Sequence, residues 1–489
     1  MDSIRIKFLR SIKDSGYVKL KPFTILIGKN SSGKSSFIRT FPLFKQTLLS
    51  DTSDSFLWYG DSVDFGNYSS ALSTHAKTAN DLLEFDLCFH TNESSLTGNI
   101  IPINIEIKIF VNNNKINKFE FYCNNLEYFK LIKKQYARNE DYDLYVNGIK
   151  QNTIFRKSNY AGSFLPHLQA DDELMYTPRY AIISAFRKLE LDIQQNHITQ
   201  ISRFLSKLYV SDEEVDNFIK NIFPDSLCSK IESISKQQET EIRTTLKVAV
   251  LNHFLNHCEN YIRREMNDMT YFKPLRTSGT RFYRVQGLNI KNVDSDGKNA
   301  PMILYSMKKN NREKFESWCL ENFGFSYKLL NENTDNISIG IYDNDLNEQH
   351  NLTDTGFGYS QILPIVLLLW TEYNSKTSYI KNSDSFIIIE QPELHLHPSF
   401  QYKIMRAFAK IVKYANSHNK NIKFIIETHS ESIVNSLGNM LRCQAINKND
   451  INLVICSKTK EGTNFKQTNF NDRFLIDDWP YGFFNDEDL

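Results

Sequence analysis

FTILIGKNSSGKSSFI, residues 23–38, decides how the rest of the chain is read. An apolar, strand-forming run enters GKNSSGKS (28–35), which fits GxxxxGK[ST], and a helical pattern leaves it. The chemistry requires that spacing. Gly28 and Gly33 let the main chain turn so that successive N–H groups point inward at phosphate oxygens. Lys34 neutralises the β- and γ-phosphates, and the Ser35 hydroxyl is a ligand for Mg²⁺. A strand before the loop and a helix after it form the context in which this pattern binds a nucleoside triphosphate.

Such a loop needs an acid on a neighbouring strand. FIIIEQPELHLHP (386–398) offers Glu390, placed where a buried strand would deliver a carboxylate to Mg²⁺. The next residue is Gln391, where many ATPases place a second acid to activate water. A glutamine hydrogen-bonds water but cannot take its proton. It can still orient an attacking water, as in GTPases. Hydrolysis is therefore expected to be slow, with Gln391 positioning water and Glu393 or His429 helping. ATP would then act as a long-lived clamp.

ETHSES (427–432) closes a second core strand. There His429 can reach the γ-phosphate or the water, with Thr428 and Ser430 to orient it. Glu393, His395 and His397 alternate, and in extended backbone they would face one way like metal ligands. The run is read as the loop after the acid and not as a dedicated metal site. Arg276 and Arg281 are candidate phosphate or DNA contacts, set against plain surface or interface arginines.

The chain has 489 residues, enough for two or three domains, and at 41% hydrophobic and 24% charged it reads as globular. A net charge of +1 gives no global electrostatic argument for nucleic acid, although a local basic groove is compatible with it. Seven scattered cysteines, none in a CxxC pair, fit reduced thiols in a cytosol and argue against a zinc ribbon or disulfide framework. The N-terminus has no apolar h-region, and the longest apolar run, ILPIVLLLW (362–370), is about half a membrane span. A soluble cytoplasmic protein is expected.

Strand patterns at 4–9, 17–20, 23–28, 83–89, 103–110 and 119–123 suggest a mixed sheet wrapped round one helix, Lys34 to about Leu49. This N-terminal lobe is assigned residues 1–160. Apolar residues from about 185 to 270 recur at three- and four-residue spacing, broken mainly at Pro224, and residues 161–270 are assigned to a helical insertion without a persistent heptad. Residues 271–489 return to strand and helix: LTDTGFGYSQ feeds a buried helix, and FIIIE and NIKFIIE are core strands of a parallel sheet.

FTILIGKNSSGKSS, TDTGFGYSQILPIV, IIIEQPELHLHP and ETHSE, in that order, resemble the ABC-type ATPase heads of the RecF, SMC and OLD families. The likeness is nearest to stand-alone bacterial OLD-like ATPases, and the closing WPYGFF (479–484) looks like a signature of a subgroup of them. It covers roughly 1–125 and 270–489. The resemblance implies an α/β ABC-type P-loop head, with mixed antiparallel and parallel sheets around the P-loop helix and an α-helical insertion. By the same resemblance Gly28, Asn30, Ser31, Gly33, Lys34, Ser35 and Ser36 form Walker A, Glu390 is the Walker B acid and His429 the switch histidine. Gly356, Gly358, Ser360 and Gln361 stand at the signature, although GFGYSQ departs from the usual LSGGQ.

In such heads the signature of one subunit contacts ATP held by the other, so a homodimer or higher even oligomer on ATP and Mg²⁺ is implied. The nearest analogies, Septu and then PARIS, imply a regulatory ATPase that senses DNA or phage and controls a separate effector, an HNH-type nuclease. A RecF-like repair ATPase that binds DNA directly is the alternative. A nuclease in its own right would need a strand-borne Glu and a later DxD. The adjacent Asp477 and Asp478 do not provide that pattern.

Overall fold

The computed structural model describes the chain apart from residues 51–54, 95–99, 135–140, 159–164, 171–177, 188–194, 209, 223–235, 286–291, 332–334, 344–347, 375–383 and 477–489. Pro224, Cys228, the Asp477–Asp478 pair and WPYGFF lie outside the described residues. In chain order the first strands are β1 (Ser3–Leu9), β2 (Ile12–Asp14), β3 (Val18–Lys19), β4 (Phe23–Gly28), β5 (Leu83–Ser94) and β6 (Ile100–Asn112). They continue as β7 (Lys115–Cys123), β8 (Leu126–Lys133), β9 (Asp141–Val146), β10 (Ile149–Ser158) and β11 (His167–Ala170). Then come β12 (Thr270–Phe272), β13 (Tyr283–Arg284), β14 (Phe325–Leu330), β15 (Asn336–Asp343), β16 (Glu348–Asn351), β17 (Asp384–Glu390), β18 (Asn421–Thr428), β19 (Ile451–Thr459) and β20 (Gly462–Thr468).

Six strands form the sheet that positions the site, in the order β12-β17-β18-β4-β19-β20. They are parallel except for the β19–β20 hairpin. The sheet is a septum between two cores. On β4, Leu26 faces one core while Phe23, Ile25 and Ile27 face the other. On β17, Phe386 and Ile388 are divided from Ile387 and Ile389 in the same way. Strands buried on both faces must read as continuous apolar runs, which is why FTILIG and FIIIE show no alternation.

The first core lies under a ten-stranded antiparallel sheet, β11-β10-β9-β8-β7-β6-β5-β1-β2 with β3 on β1. The expected single mixed sheet is corrected here: β4 leaves its sequence neighbours to become the centre of the parallel sheet. The expected helix from Lys34 is also broken, into Lys34–Ile38 and Thr40–Leu48. Pro42 causes this, because it has no N–H to return to the carbonyl of Ile38. Within 161–270, β11 extends the ten-stranded sheet before any helix begins. Helices then span Pro178–Arg187, Gln195–Leu205, Asp212–Ile222, Lys236–Ala249 and Leu251–Asn267. The last inserts Phe254 between Phe121 and Phe129 of the sheet, with ring centroids 5.8 and 5.7 Å away.

The second core is covered by helices Phe357–Asn374, Pro398–Ser417 and Glu431–Arg442, with the small sheet β13-β15-β14 and β16 beyond. Among the described residues no helix is long and apolar enough to cross a membrane. Phe408 is fully buried and stacks on Phe424 at 4.4 Å, and Phe424 stacks on Phe23 of the P-loop strand at 5.9 Å. Phe408→Ala is expected to cost about 3–5 kcal/mol. Denaturant unfolding checks this, and a loss below about 1 kcal/mol would contradict so tight a stack.

Candidate nucleotide-binding site

The carboxyl ends of β4, β17 and β18 lie side by side, the edge where α/β sheets bind ligands. At β4 the chain turns through Gly28, where an added Cβ would meet the Cys456 carbonyl oxygen at 2.3 Å and Ser32 Oγ at 2.5 Å. Only glycine fits. Ser31 and Gly33 hold the loop in left-handed conformations, with φ of 61° and 89°. Asn30 and Ser31 are exposed at its tip, while Ser35 and Ser36 open the helix. Lys34 is buried and its Nζ donates to the carbonyls of Gly28 and Lys29, both at 2.9 Å. Burial lowers its pKa, opposed by Glu427 and Glu393 nearby.

The Ser35 hydroxyl donates to Glu427 Oε1 at 2.8 Å, and Lys34 Nζ is 3.9 Å from the same oxygen. Glu427 ends β18, which lies between β17 and β4. Burial, then the charge of Glu390, pushes its pKa up to about 7. Glu390, at the end of β17, meets Arg39 through Nε at 2.8 Å and Nη2 at 2.7 Å, and accepts from the Tyr271 hydroxyl at 2.6 Å. The hard oxygen donors a divalent cation needs are therefore present, in the Ser35 hydroxyl and buried carboxylates. Glu427 Oε2 is buried with no hydrogen-bond partner among the described residues, an orphan that a cation would satisfy.

Gln391 adopts a left-handed φ of 46°, and its N–H donates to the Glu427 carbonyl at 2.8 Å. Such backbone strain at a non-glycine residue persists only where its surroundings hold it. Glu393 turns inward: Oε1 accepts from the His429 N–H at 2.7 Å, and buried Oε2 has no hydrogen-bond partner among the described residues. Burial raises its pKa. Burial, followed by the charge of Lys34, depresses the pKa of His429 to about 4, with the Gly28 main chain opposing the shift. Thr428 Oγ1 accepts from the Ser430 N–H at 2.9 Å, while Ser430 Oγ accepts from Ile433 N, capping the next helix.

The common-face reading of Glu393–His397 and the surface reading of Arg276 need correction. Glu393, His395 and His397 do not face one way, because positive φ at Gln391 and His395 (46° and 61°) coils the loop. His395 packs edge-on against Phe357, and His397 caps the helix that begins at Pro398. No metal-holding cluster of His, Cys, Asp and Glu occurs among the described residues. Arg276 is no surface contact: it is 4% exposed and donates to the Glu390 carbonyl at 3.0 Å. Arg281 is exposed and paired with Asp354.

In the signature region Gly356 is exposed, and Gly358 packs so closely that a Cβ would meet the His395 carbonyl oxygen at 2.7 Å. Ser360 is buried and donates to the Phe357 carbonyl at 2.7 Å. Gln361 is fully buried; its amide accepts from Arg276 N at 3.1 Å and donates to Arg276 O at 2.9 Å. That amide braces the chain internally. Glu427, Arg39 and Tyr271 were missed by the sequence reading. Glu427 ends an apolar run in the same way as Glu390, and Arg39 sits one helical turn after Ser35, so both signals were present.

The fold and loop define a mixed α/β P-loop ATPase domain. Residues 1–434 match the family described as the AAA ATPase domain, and the chain belongs to that family. No curated protein matches it. Solved structures that resemble it distantly include two SMC heads. The SMC head domain from Thermotoga maritima is 11% identical, covers 95% of this chain and 98% of its own, and has a TM-score of 0.36. The SMC head bound to the C-terminal winged-helix domain of ScpA is 9% identical, covers 96% and 98%, and has a TM-score of 0.38.

A His429 pKa near 4 lies below that of an unfolded histidine, so the native ring is neutral above about pH 5. As pH falls from about 6.5 the unfolded state takes up this proton first, and the native state is disfavoured. The His429 ring signal in NMR, assigned by its loss in His429→Gln, is expected to titrate near pH 4. A midpoint above about 6 would contradict this environment.

Proposed function

We propose that the chain is a slowly hydrolysing regulatory ATPase of the bacterial cytoplasm. ATP holds two heads together, and the closed assembly responds to DNA or an invading phage by controlling a separate HNH-type effector nuclease. The observation that carries the slow-clamp reading is Gln391, which stands where a proton-accepting carboxylate would otherwise follow Glu390. Family membership supports nucleotide binding and hydrolysis. The likeness of EQPE and ETHSE to stand-alone defence ATPases supports the role, an argument from resemblance.

In this reading the loop from Gly28 to Ser36 wraps the triphosphate, and Lys34 exchanges its two carbonyl partners for phosphate oxygens. Magnesium bound with the nucleotide supplies charge neutralisation at the β- and γ-phosphates. Gln391 orients water through a side chain whose backbone is pinned to β18. Glu393 accepts the water's proton on its unpartnered Oε2, since burial has raised its proton affinity. His429, neutral near pH 7, contributes hydrogen bonds and no charge. Gly356 and Gly358 offer the signature face to the nucleotide of the second head.

Gln391→Glu adds a carboxylate base next to Glu390 and is expected to raise turnover by about tenfold or more. Phosphate release at saturating ATP measures it, and unchanged turnover would remove the main support for the clamp. Native mass spectrometry of gently purified protein tests the assembly. A dimer or larger species retaining ATP and a second protein is expected. A lone chain whose DNA affinity falls steeply with salt would favour the RecF-like alternative.

A further inference from the structure

A cavity of about 840 Å³ lies at the amino end of β18, on the edge of the parallel sheet opposite the P-loop. The end of β5, the helix Leu251–Asn267 and residues 416–421 wall it. On the helix, His257, Asn260, Tyr261 and Arg264 recur at three- and four-residue spacing and so share one face. The row rises about 10 Å over two turns, the reach of a small phosphorylated ring and more than a bare ion fills.

Arg264 is the member that lacks a counterpart. Its Nε is buried with no hydrogen-bond partner among the described residues, and its guanidinium lies over the Tyr261 ring at 5.7 Å. A guanidinium stays charged, so a buried N–H without an acceptor is costly and an oxyanion would relieve it. His257 Nε2 is likewise buried and without a hydrogen-bond partner among the described residues. Burial, then the charges of His253 and Arg264, lowers the pKa of His257 and leaves a neutral ring that can donate or accept.

The other charges lining the cavity are committed. Glu265 holds the Met1 amino group at 2.7 Å, Lys420 pairs with Glu372, and His90 Nδ1 lies 2.7 Å from Asp2. Asn260, Asn416 and Asn419 are exposed along the walls and offer amides, each both donor and acceptor, as hydroxyl groups require.

We propose that this cavity binds a phosphate monoester on a hydroxyl-rich ring, the chemistry shared by nucleoside monophosphates and sugar phosphates. The phosphate sits on the Arg264 guanidinium and the ring lies along His257 and the asparagines. Arginine meets phosphate side-on through two parallel N–H bonds, and Nε supplies one of them. The site is separate from the P-loop and does not depend on the proposed role of ATP.

Calorimetric titration of the full chain with adenosine monophosphate, ribose phosphate and inorganic phosphate tests this. At least one ester is expected to bind wild type about tenfold or more tightly than inorganic phosphate. Tighter binding of adenosine monophosphate marks a nucleotide ligand, and equal binding of ribose phosphate marks a sugar phosphate. Arg264→Gln is expected to weaken ester binding by about tenfold or more. Arg264→Lys, which keeps the charge and loses the side-on pair, is expected to weaken it by at least about threefold. Lys34→Ala, on the opposite edge, is expected to leave it within about twofold. Ester binding that survives both Arg264 variants, that disappears in Lys34→Ala, or that inorganic phosphate matches overturns the proposal. Wild type that binds neither ester overturns it as well.

Discussion

Arg39 lying across Glu390 is the contact on which the nucleotide edge depends. β17 is buried on both faces, so the acid that ends it leaves the sheet at 1% exposure. An unpaired carboxylate there would cost several kcal/mol. Arg39 removes that cost with a bidentate contact, and Tyr271 adds a hydrogen bond. The pairing raises the affinity of Arg39 for its proton, with the hydrogen bond to Glu390 outweighing burial. Because Arg39 belongs to the turn after the P-loop helix, the same contact fixes that helix against β17. Lys34 and Arg39 then give Glu427 its countercharge, and Lys34 and Arg276 that of Glu393, but none hydrogen-bonds the second oxygen of either acid among the described residues. The two unpartnered oxygens, Glu427 Oε2 and Glu393 Oε2, follow from that shortfall.

Local chemistry was legible in the chain, and non-local order was not. GKNSSGKS reads directly because each residue is required by its own backbone or phosphate geometry. The clash at Gly28 with Cys456 shows how narrow that requirement is. FIIIE reads as a doubly buried strand because no polar residue interrupts it. Which strand adjoins β4 is set by crossovers through distant helices, and no spacing in the sequence encodes it. The alternation in PELHLHP has a limit of another kind. Alternation implies a common face only in extended backbone, and Gln391 and His395 both leave that region of φ.

The buried Arg276 ties these local facts into one device. Its guanidinium holds the carbonyl of Glu390 at 3.0 Å, while its own N–H and carbonyl are clamped by the Gln361 amide. Burial lowers its pKa to about 10, still well above neutrality, so the group stays charged. The end of β17 and the start of the signature helix are thereby held in one hydrogen-bonded unit, with Gly358 seated against the His395 carbonyl. A change in backbone at Gln391 must either carry the signature loop with it or break hydrogen bonds inside a low-dielectric core. The second course is expensive, since buried partners would be left unsatisfied. The strained Gln391 and the Gly356–Gln361 segment are therefore tied to each other through Arg276.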